Sequence, residues 1–280
     1  MFRLMNSIRC LSNGLARRKF SSNAEKFVDL AVNEQTGFAT ITMQRLPVNS
    51  LNLELLTQLS DSFDQVEENK CRGMILTSAS NKVFSAGLDI TEMYKPNDDR
   101  LKAFWSKLQE VWLKLYGSSY PTVAAINGHS PAGGCLLALS CEYRVMVNAF
   151  TIGLNETQLG IVAPTWFQAS MRNVLSKRDS ELALTTGRMF TTEEALKAGL
   201  IDEIANDKAD AIARAEQFLL RFKGVSPQAR TITKLALRAE DLKALEENRD
   251  QDVQLFVFAV KDPKVQKGLG VYMESLKTKK

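Results

Sequence analysis

Histidine is almost missing from this chain: its 280 residues contain one, His129. That argues against a metal centre built on imidazoles and against a Ser-His-Asp triad. His129 does stand in Gly128-His129-Ser130-Pro131-Ala132, which resembles part of a nucleophile elbow. The fifth position of that motif needs glycine, and alanine occupies it here. A histidine adjacent in sequence to the serine would also point to another side of the turn. Cysteine is scarce as well. The four, at 10, 71, 135 and 141, never form a CxxC spacing, which fits reduced, buried thiols and not a disulfide framework or a zinc site. No apolar run approaches the roughly 18 residues of a membrane-spanning helix. Neither a Walker A loop nor a GxGxxG after a strand is present, so ATP and NAD chemistry lack their motifs. There is no fixed-period repeat and no low-complexity tract.

Acids are absent from the first twenty residues, which carry Arg3, Arg9, Arg17, Arg18 and Lys19 among Phe2, Leu4, Ile8 and Leu11. A basic, amphipathic, acid-free leader followed by Ser21 and Ser22 has the composition of a mitochondrial transit peptide, with cleavage expected after Phe20 and a matrix destination. The whole chain has 36 basic and 32 acidic residues, a net of +4. Without the five basic residues of the leader the balance is 31 against 32, or −1. Such a balance gives no reason to expect a nucleic-acid partner.

What remains has the composition of a soluble globular protein. Residues 27–32 and 38–43 alternate as strands do, around the turn-like "NEQTG". Residues 51–69 and 99–118 place apolar side chains at helical spacing. The runs 73–79, 122–127, 142–147 and 150–154 read as strands, 135–140 as a helix, and the chain from Pro164 onward as helical almost throughout. Strands alternating with helices imply an α/β core with parallel strands, carrying an appended helical layer. Trp105 and Trp112, seven residues apart on one helix, are expected to pack in the core, while Trp166 is left open as a pocket residue.

Two loops share one design. "ILTSASNKVFSAGLDI" (75–90) and "VAAINGHSPAGGCLLAL" (123–139) each follow a buried strand and open toward a helix through Gly and Ala. Residues without bulky side chains leave backbone N–H groups uncovered. Two such groups aimed at one point would stabilise an enolate oxygen. Each loop alone is equally a tight turn, and Glu156 in "GLNETQLG" is by itself an ordinary acid in a polar loop.

Taken together, "LPVNSLNLELLTQL", "GMILTS", "VFSAGLDITEMY", "PAGGCLLALSCEYR", "GLNETQLGIVAP" and "DVQLFVFAVKD" resemble the crotonase (enoyl-CoA hydratase/isomerase) superfamily, in order over roughly residues 27–278. The resemblance implies an α/β fold, a crotonase-like spiral of ββα units with a C-terminal helical region. It implies one domain over 21–280, with a spiral core to about 200 and trimerisation helices over about 201–280. It places oxyanion donors at the N–H groups of Ala86 and Gly133, with Gly134 beside the second, and acyl-CoA contacts along Ala86, Gly87, Leu88, Asp89 and Ile90. Asn155 falls where the isomerases of the family put a substrate-contacting asparagine. Of the two glutamates used by the hydratases, one matches Glu156 and the other falls on Leu136. Lys82 is a candidate for the CoA phosphates.

That difference implies an activity. Hydration needs a positioned water held by two carboxyls; moving a double bond from 3-enoyl-CoA to trans-2-enoyl-CoA needs one base that moves one proton. Leu136 would keep water out and raise the pKa of Glu156. The expectation is a homotrimeric acyl-CoA isomerase of the β-oxidation of unsaturated fatty acids. It would use no metal and no cofactor beyond the CoA carried by its substrate, and it would not insert in a membrane. A hydratase on the same fold and a non-catalytic RNA-binding relative are the alternatives.

Overall fold

A computed structural model describes residues 25–278; the leader expected over 1–20 lies outside the described residues. The larger sheet contains β1 (Val28–Val32), β2 (Phe38–Met43), β3 (Gly73–Ser78), β4 (Thr122–Ile126), β6 (Tyr143–Val147) and β9 (Glu203–Ala205), in that spatial order. Only β1 and β2 pair antiparallel; every other neighbour is parallel. A smaller sheet holds β5 (Ser130–Pro131), β7 (Thr151–Gly153) and β8 (Phe190–Thr191). Single bridges Leu51–Leu88 and Val83–His129 extend this second layer. Each turn of chain thus adds one strand to the large sheet, a short extended piece to the second layer, and then a helix. This is the spiral of ββα units that the resemblance implied.

The helices are α1 (Leu53–Glu68), α2 (Ile90–Met93), α3 (Asp98–Tyr116), α4 (Gly133–Ser140), α5 (Thr165–Arg172), α6 (Lys177–Thr186), α7 (Thr192–Ala198), α8 (Lys208–Leu220), α9 (Pro227–Val260) and α10 (Pro263–Thr278). Local chemistry starts and stops them. The Asn52 side chain accepts the Leu55 N–H at 3.0 Å to open α1, Asn97 does the same for α3 through the Arg100 N–H at 3.0 Å, and Gly117 ends α3. Leu55, Leu56, Leu59, Phe63 and Val66 on α1 face the buried stripe of α3.

The sheet is buried on both faces, which is why its strands read as apolar runs. Along β2 to β6 the side chains alternate: Ile75, Val123, Ala125 and Val145 meet Ala211, Ala215 and Leu219 of α8, while Met74, Leu76, Ala124, Ile126 and Met146 face the main core. The strand β9 departs from the helical reading of the region after Pro164. It extends the sheet beyond β6, and α8 packs on it, so residues just after 201 still belong to the sheet layers. The run of helices without a strand begins at Lys208, with α8, α9 and α10. Two cations fasten α9: buried Lys234 donates through Nζ to Ser118 Oγ at 2.8 Å and pairs with Glu142 at 3.0 Å, and half-buried Arg238 donates to the carbonyls of Tyr116 and Ser140. Among the described residues no helix is long and apolar enough to cross a membrane.

Candidate active site

The spiral brings three distant segments to one level. Val83 bridges His129, and Ser130 pairs with Ile152, so Val83, His129 and Thr151 lie side by side on parallel pieces of the second layer. Leu88, Gly133 and Glu156 each follow four or five residues downstream of that level. The two loops meet there, since a Cβ on Gly87 would lie 3.1 Å from Gly133 N, and Glu156 is near enough to Cys135 on α4 to act on its thiol.

The loops press backbone against backbone. At Gly87, with φ +83°, an added Cβ would lie 2.9 Å from Ala132 Cβ and 3.1 Å from Gly133 N. At Gly134 it would lie 2.5 Å from the Ser85 carbonyl oxygen. Only glycine allows that approach. Just before Gly133, Ala132 has φ 47° and ψ −121°, a conformation that L-residues rarely hold, and its N–H is tied to the Gly153 carbonyl at 2.8 Å. The turn launches α4, whose eight residues are all buried and whose N-terminus, the positive end of its dipole, lies at the loop junction.

One expected donor is corrected. The Ala86 N–H is already committed to the Val48 carbonyl at 2.9 Å. Among Ala86 to Asp89, the N–H of Gly87 goes to Ser85 Oγ at 3.2 Å and that of Asp89 to the Leu51 carbonyl at 3.0 Å. The Leu88 N–H has no acceptor among the described residues. Gly133 is the first residue of α4, so its N–H has no partner within the helix. Leu88 and Gly133 thus offer a pair of N–H groups without partners among the described residues, with a Cβ built on Gly133 falling 3.3 Å from the Leu88 side chain; Gly134 lies beside the second.

Glu156 opens a single turn of 3-10 helix, Glu156–Leu159, closed by Gly160 in the left-handed region. Thr157 Oγ1 donates to the Leu184 carbonyl at 3.0 Å and pins the turn to α6. Glu156 itself is 6% exposed, and neither carboxylate oxygen has a hydrogen-bond partner among the described residues. Burial pushes its pKa up to about 7. Its charge also reaches Cys135 on α4, whose thiol is raised by its own burial and then by Glu156. Leu136, the next residue, is fully buried. Asn155 Oδ1 is a second buried acceptor without a partner.

The other candidates sort by geometry. His129 is exposed, with Nδ1 3.0 Å from Thr151 Oγ1 and 3.2 Å from the Thr151 N–H, so it ties β5 to β7. Ser130 is buried and its Oγ has no partner, so no Ser-His pair exists. The Asp89 carboxylate is taken up by Thr91 and Arg45. Ile90 begins α2. Lys82 is exposed, and its carbonyl accepts the His129 N–H. Trp105 and Trp112 are core residues as expected, and Trp166 packs between them at centroid distances of 5.7 and 5.5 Å. Trp105 and Trp166 also line an apolar cavity of about 680 Å³ between the 160–166 segment and α9; Glu156, Leu88 and Gly133 do not line it. Among the described residues, no three His, Cys, Asp or Glu side chains cluster as metal ligands.

A buried, unpartnered carboxylate at the same edge as two free N–H groups can take a proton next to a carbonyl whose oxygen those groups hold. Comparison with known proteins agrees with that chemistry. The sequence profile of the family described as Enoyl-CoA hydratase/isomerase matches residues 33–279. The mitochondrial enoyl-CoA delta isomerase 1 of Mus musculus is 41% identical over 273 residues, covering 95% of this chain and 94% of its own length. The crystal structure of human mitochondrial delta3-delta2-enoyl-CoA isomerase superposes with a TM-score of 0.88 at 40% identity, over 91% of this chain and 100% of that one. An enoyl-CoA hydratase from Bacillus halodurans, at 24% identity and a TM-score of 0.79, shares the fold.

Proposed function

Because this chain belongs to the enoyl-CoA hydratase/isomerase family, we propose that it moves the double bond of 3-enoyl-CoA, cis or trans, to give trans-2-enoyl-CoA during β-oxidation of unsaturated fatty acids. The observation that carries the reading is Glu156: one buried carboxylate without a hydrogen-bond partner, with an apolar residue at Leu136 where the hydratases have their second acid. Glu156 takes a proton from C2 of the thioester. The C–H electron pair moves into a dienolate whose charge reaches the thioester oxygen. There the N–H groups of Leu88 and Gly133 and the N-terminal end of α4 stabilise it. Glu156 then returns the proton at C4, and the double bond settles between C2 and C3. With a buried leucine at 136, no second carboxyl holds a water for addition.

Several parts of this reading go with the family. The substrate brings its own CoA, and no further cofactor or metal takes part. The backbone of residues 86–90 and the Asn155 side chain lie along the acyl-CoA. The chain assembles as a homotrimer through its C-terminal helices. Supporting that, Val162, Leu255 and Phe258, 78%, 60% and 79% exposed, rim the cavity beside α9 and are the kind of apolar surface a second copy covers. The leader directs the chain to the mitochondrial matrix, and the mature domain is residues 21–280. The test uses the purified 21–280 chain with 3-hexenoyl-CoA, products resolved by chromatography. Trans-2-hexenoyl-CoA should form with the natural chain and fall at least about a thousandfold with Glu156→Gln. Near-normal turnover of the variant would remove Glu156 from the mechanism.

A further inference from the structure

The carboxylate of Asp89 adjoins the oxyanion donor without facing the substrate. It is 7% exposed; Oδ1 accepts the Thr91 N–H at 3.0 Å and the Thr91 hydroxyl at 2.7 Å, and Oδ2 meets Arg45 Nη1 at 2.8 Å. Arg45 also donates to the Ser50 carbonyl at 2.8 Å, and its guanidinium lies 5.8 Å from the centre of the Phe27 ring. The 45–51 segment so held supplies the acceptors and donors around Leu88. Val48 takes the Ala86 N–H, the Leu51 N–H reaches the Gly87 carbonyl at 2.8 Å, and the Leu51 carbonyl takes the Asp89 N–H at 3.0 Å. Peptide groups on both sides of Leu88 are thus clamped to Leu51, and one ion pair joins the two clamped segments.

We propose that the Arg45–Asp89 pair is a positioning device for the Leu88 N–H: it sets the angle at which that donor meets the developing oxyanion, and Asp89 acts through the backbone without touching substrate. The proposal rests on the isomerase reading for its kinetics. Both partners are sheltered, with side-chain exposures of 27% and 10%, so the pair is held more firmly than one on open surface. Alignment matters because displacing a catalytic group by about 1 Å costs on the order of a hundredfold in rate. The pair also bears on α2, since Asp89 is its cap. A purely structural cap would affect folding and the binding of every ligand alike; a positioning pair would affect only ligands that place an oxyanion at Leu88.

The experiment compares Asp89→Asn and Arg45→Lys with the natural chain. Asparagine keeps Oδ1 as acceptor for the Thr91 N–H and removes the charge that Arg45 pairs with. Four quantities are read: kcat and KM on 3-hexenoyl-CoA, affinity for acetoacetyl-CoA through its enolate absorbance, and affinity for hexyl-CoA, a thioether that lacks the thioester carbonyl. We expect kcat to fall by about tenfold to a hundredfold while KM moves by less than about threefold. Acetoacetyl-CoA binding should weaken by a similar factor, and hexyl-CoA binding should hold. Equal weakening of both ligands, or a lowered melting temperature with kcat intact, overturns the proposal. Should Asp89→Asn fail to fold, Arg45→Lys and Arg45→Gln carry the same ligand comparison. If the natural chain does not isomerise 3-hexenoyl-CoA yet the variants lose acetoacetyl-CoA selectively, the isomerase reading fails and the clamp stands.

Discussion

The stability of Glu156→Gln relative to the natural chain should depend on pH. In the folded chain burial holds the acid at about 7, against 4.5 for a free glutamate. Below pH 4.5 both states are protonated and burial of the charge costs nothing. Between 4.5 and 7 the unfolded chain gives up its proton first while the folded chain keeps it, so stability falls as pH rises; above 7 the loss is complete. At 1.36 kcal/mol per pKa unit the full cost is about 3 kcal/mol, of which less than about 1 kcal/mol is present at pH 5. A neutral glutamine escapes this cost, though its buried amide brings a constant penalty of its own. The difference in unfolding free energy between Glu156→Gln and the natural chain should therefore shift in favour of the variant by about 2–3 kcal/mol between pH 5 and pH 8. Urea denaturation of both proteins at the two pH values measures it, and the constant penalty cancels in the comparison. A gap that stays the same at both pH values would mean that Glu156 ionises as in water, and the reasoning from its burial would fail.

Two further outcomes follow from the same site. The base must be ionised to act, so kcat/KM for 3-hexenoyl-CoA should rise with pH and level off above about 7, the value set by burial of Glu156; a profile that is flat from pH 5.5 to 9, or that falls, contradicts this. Leu136→Glu puts a second carboxyl on the buried first turn of α4. It should lower isomerisation at least about tenfold, yield 3-hydroxyacyl-CoA from trans-2-enoyl-CoA, and cost roughly 3 kcal/mol of stability. Absence of any hydration product would show that residue 136 does not decide the reaction.

The parts of the fold that could be read from sequence are those with long periods. Helices α1 and α3 and strands β2, β3, β4 and β6 repeat their apolar residues often enough to declare themselves. β9 does not: Glu203-Ile204-Ala205 has three residues, and only its place beside β6 makes it a strand. The site divides the same way. Glu156 and Leu136 could be paired only through the family resemblance, as the positions that match the two glutamates of the hydratases; by residue type Glu156 is an ordinary acid in a polar loop. Which backbone N–H is free could not be read even so. The Ala86 N–H is consumed by the Val48 carbonyl, a partner from a different turn of the spiral, and nothing in "SAGLD" reveals it. The partner of Asp89 was hidden for the same reason: its cation, Arg45, stands far upstream in sequence.

The parallel level shared by Val83, His129 and Thr151 has a consequence for how the chain acquires its site. Apart from the β1–β2 hairpin, the large sheet has no pairing that neighbouring residues can make. Closing each parallel pair requires long loops to be ordered first, so folding is dominated by distant contacts and is slow by that measure. Glu156 sits past β7, which gains its second neighbour only when Phe190–Thr191 joins as β8. During synthesis the two N–H-bearing loops can therefore form before the strand that carries the acid has both of its partners. The segment that carries Glu156 is thus the last of the three to gain all its strand partners.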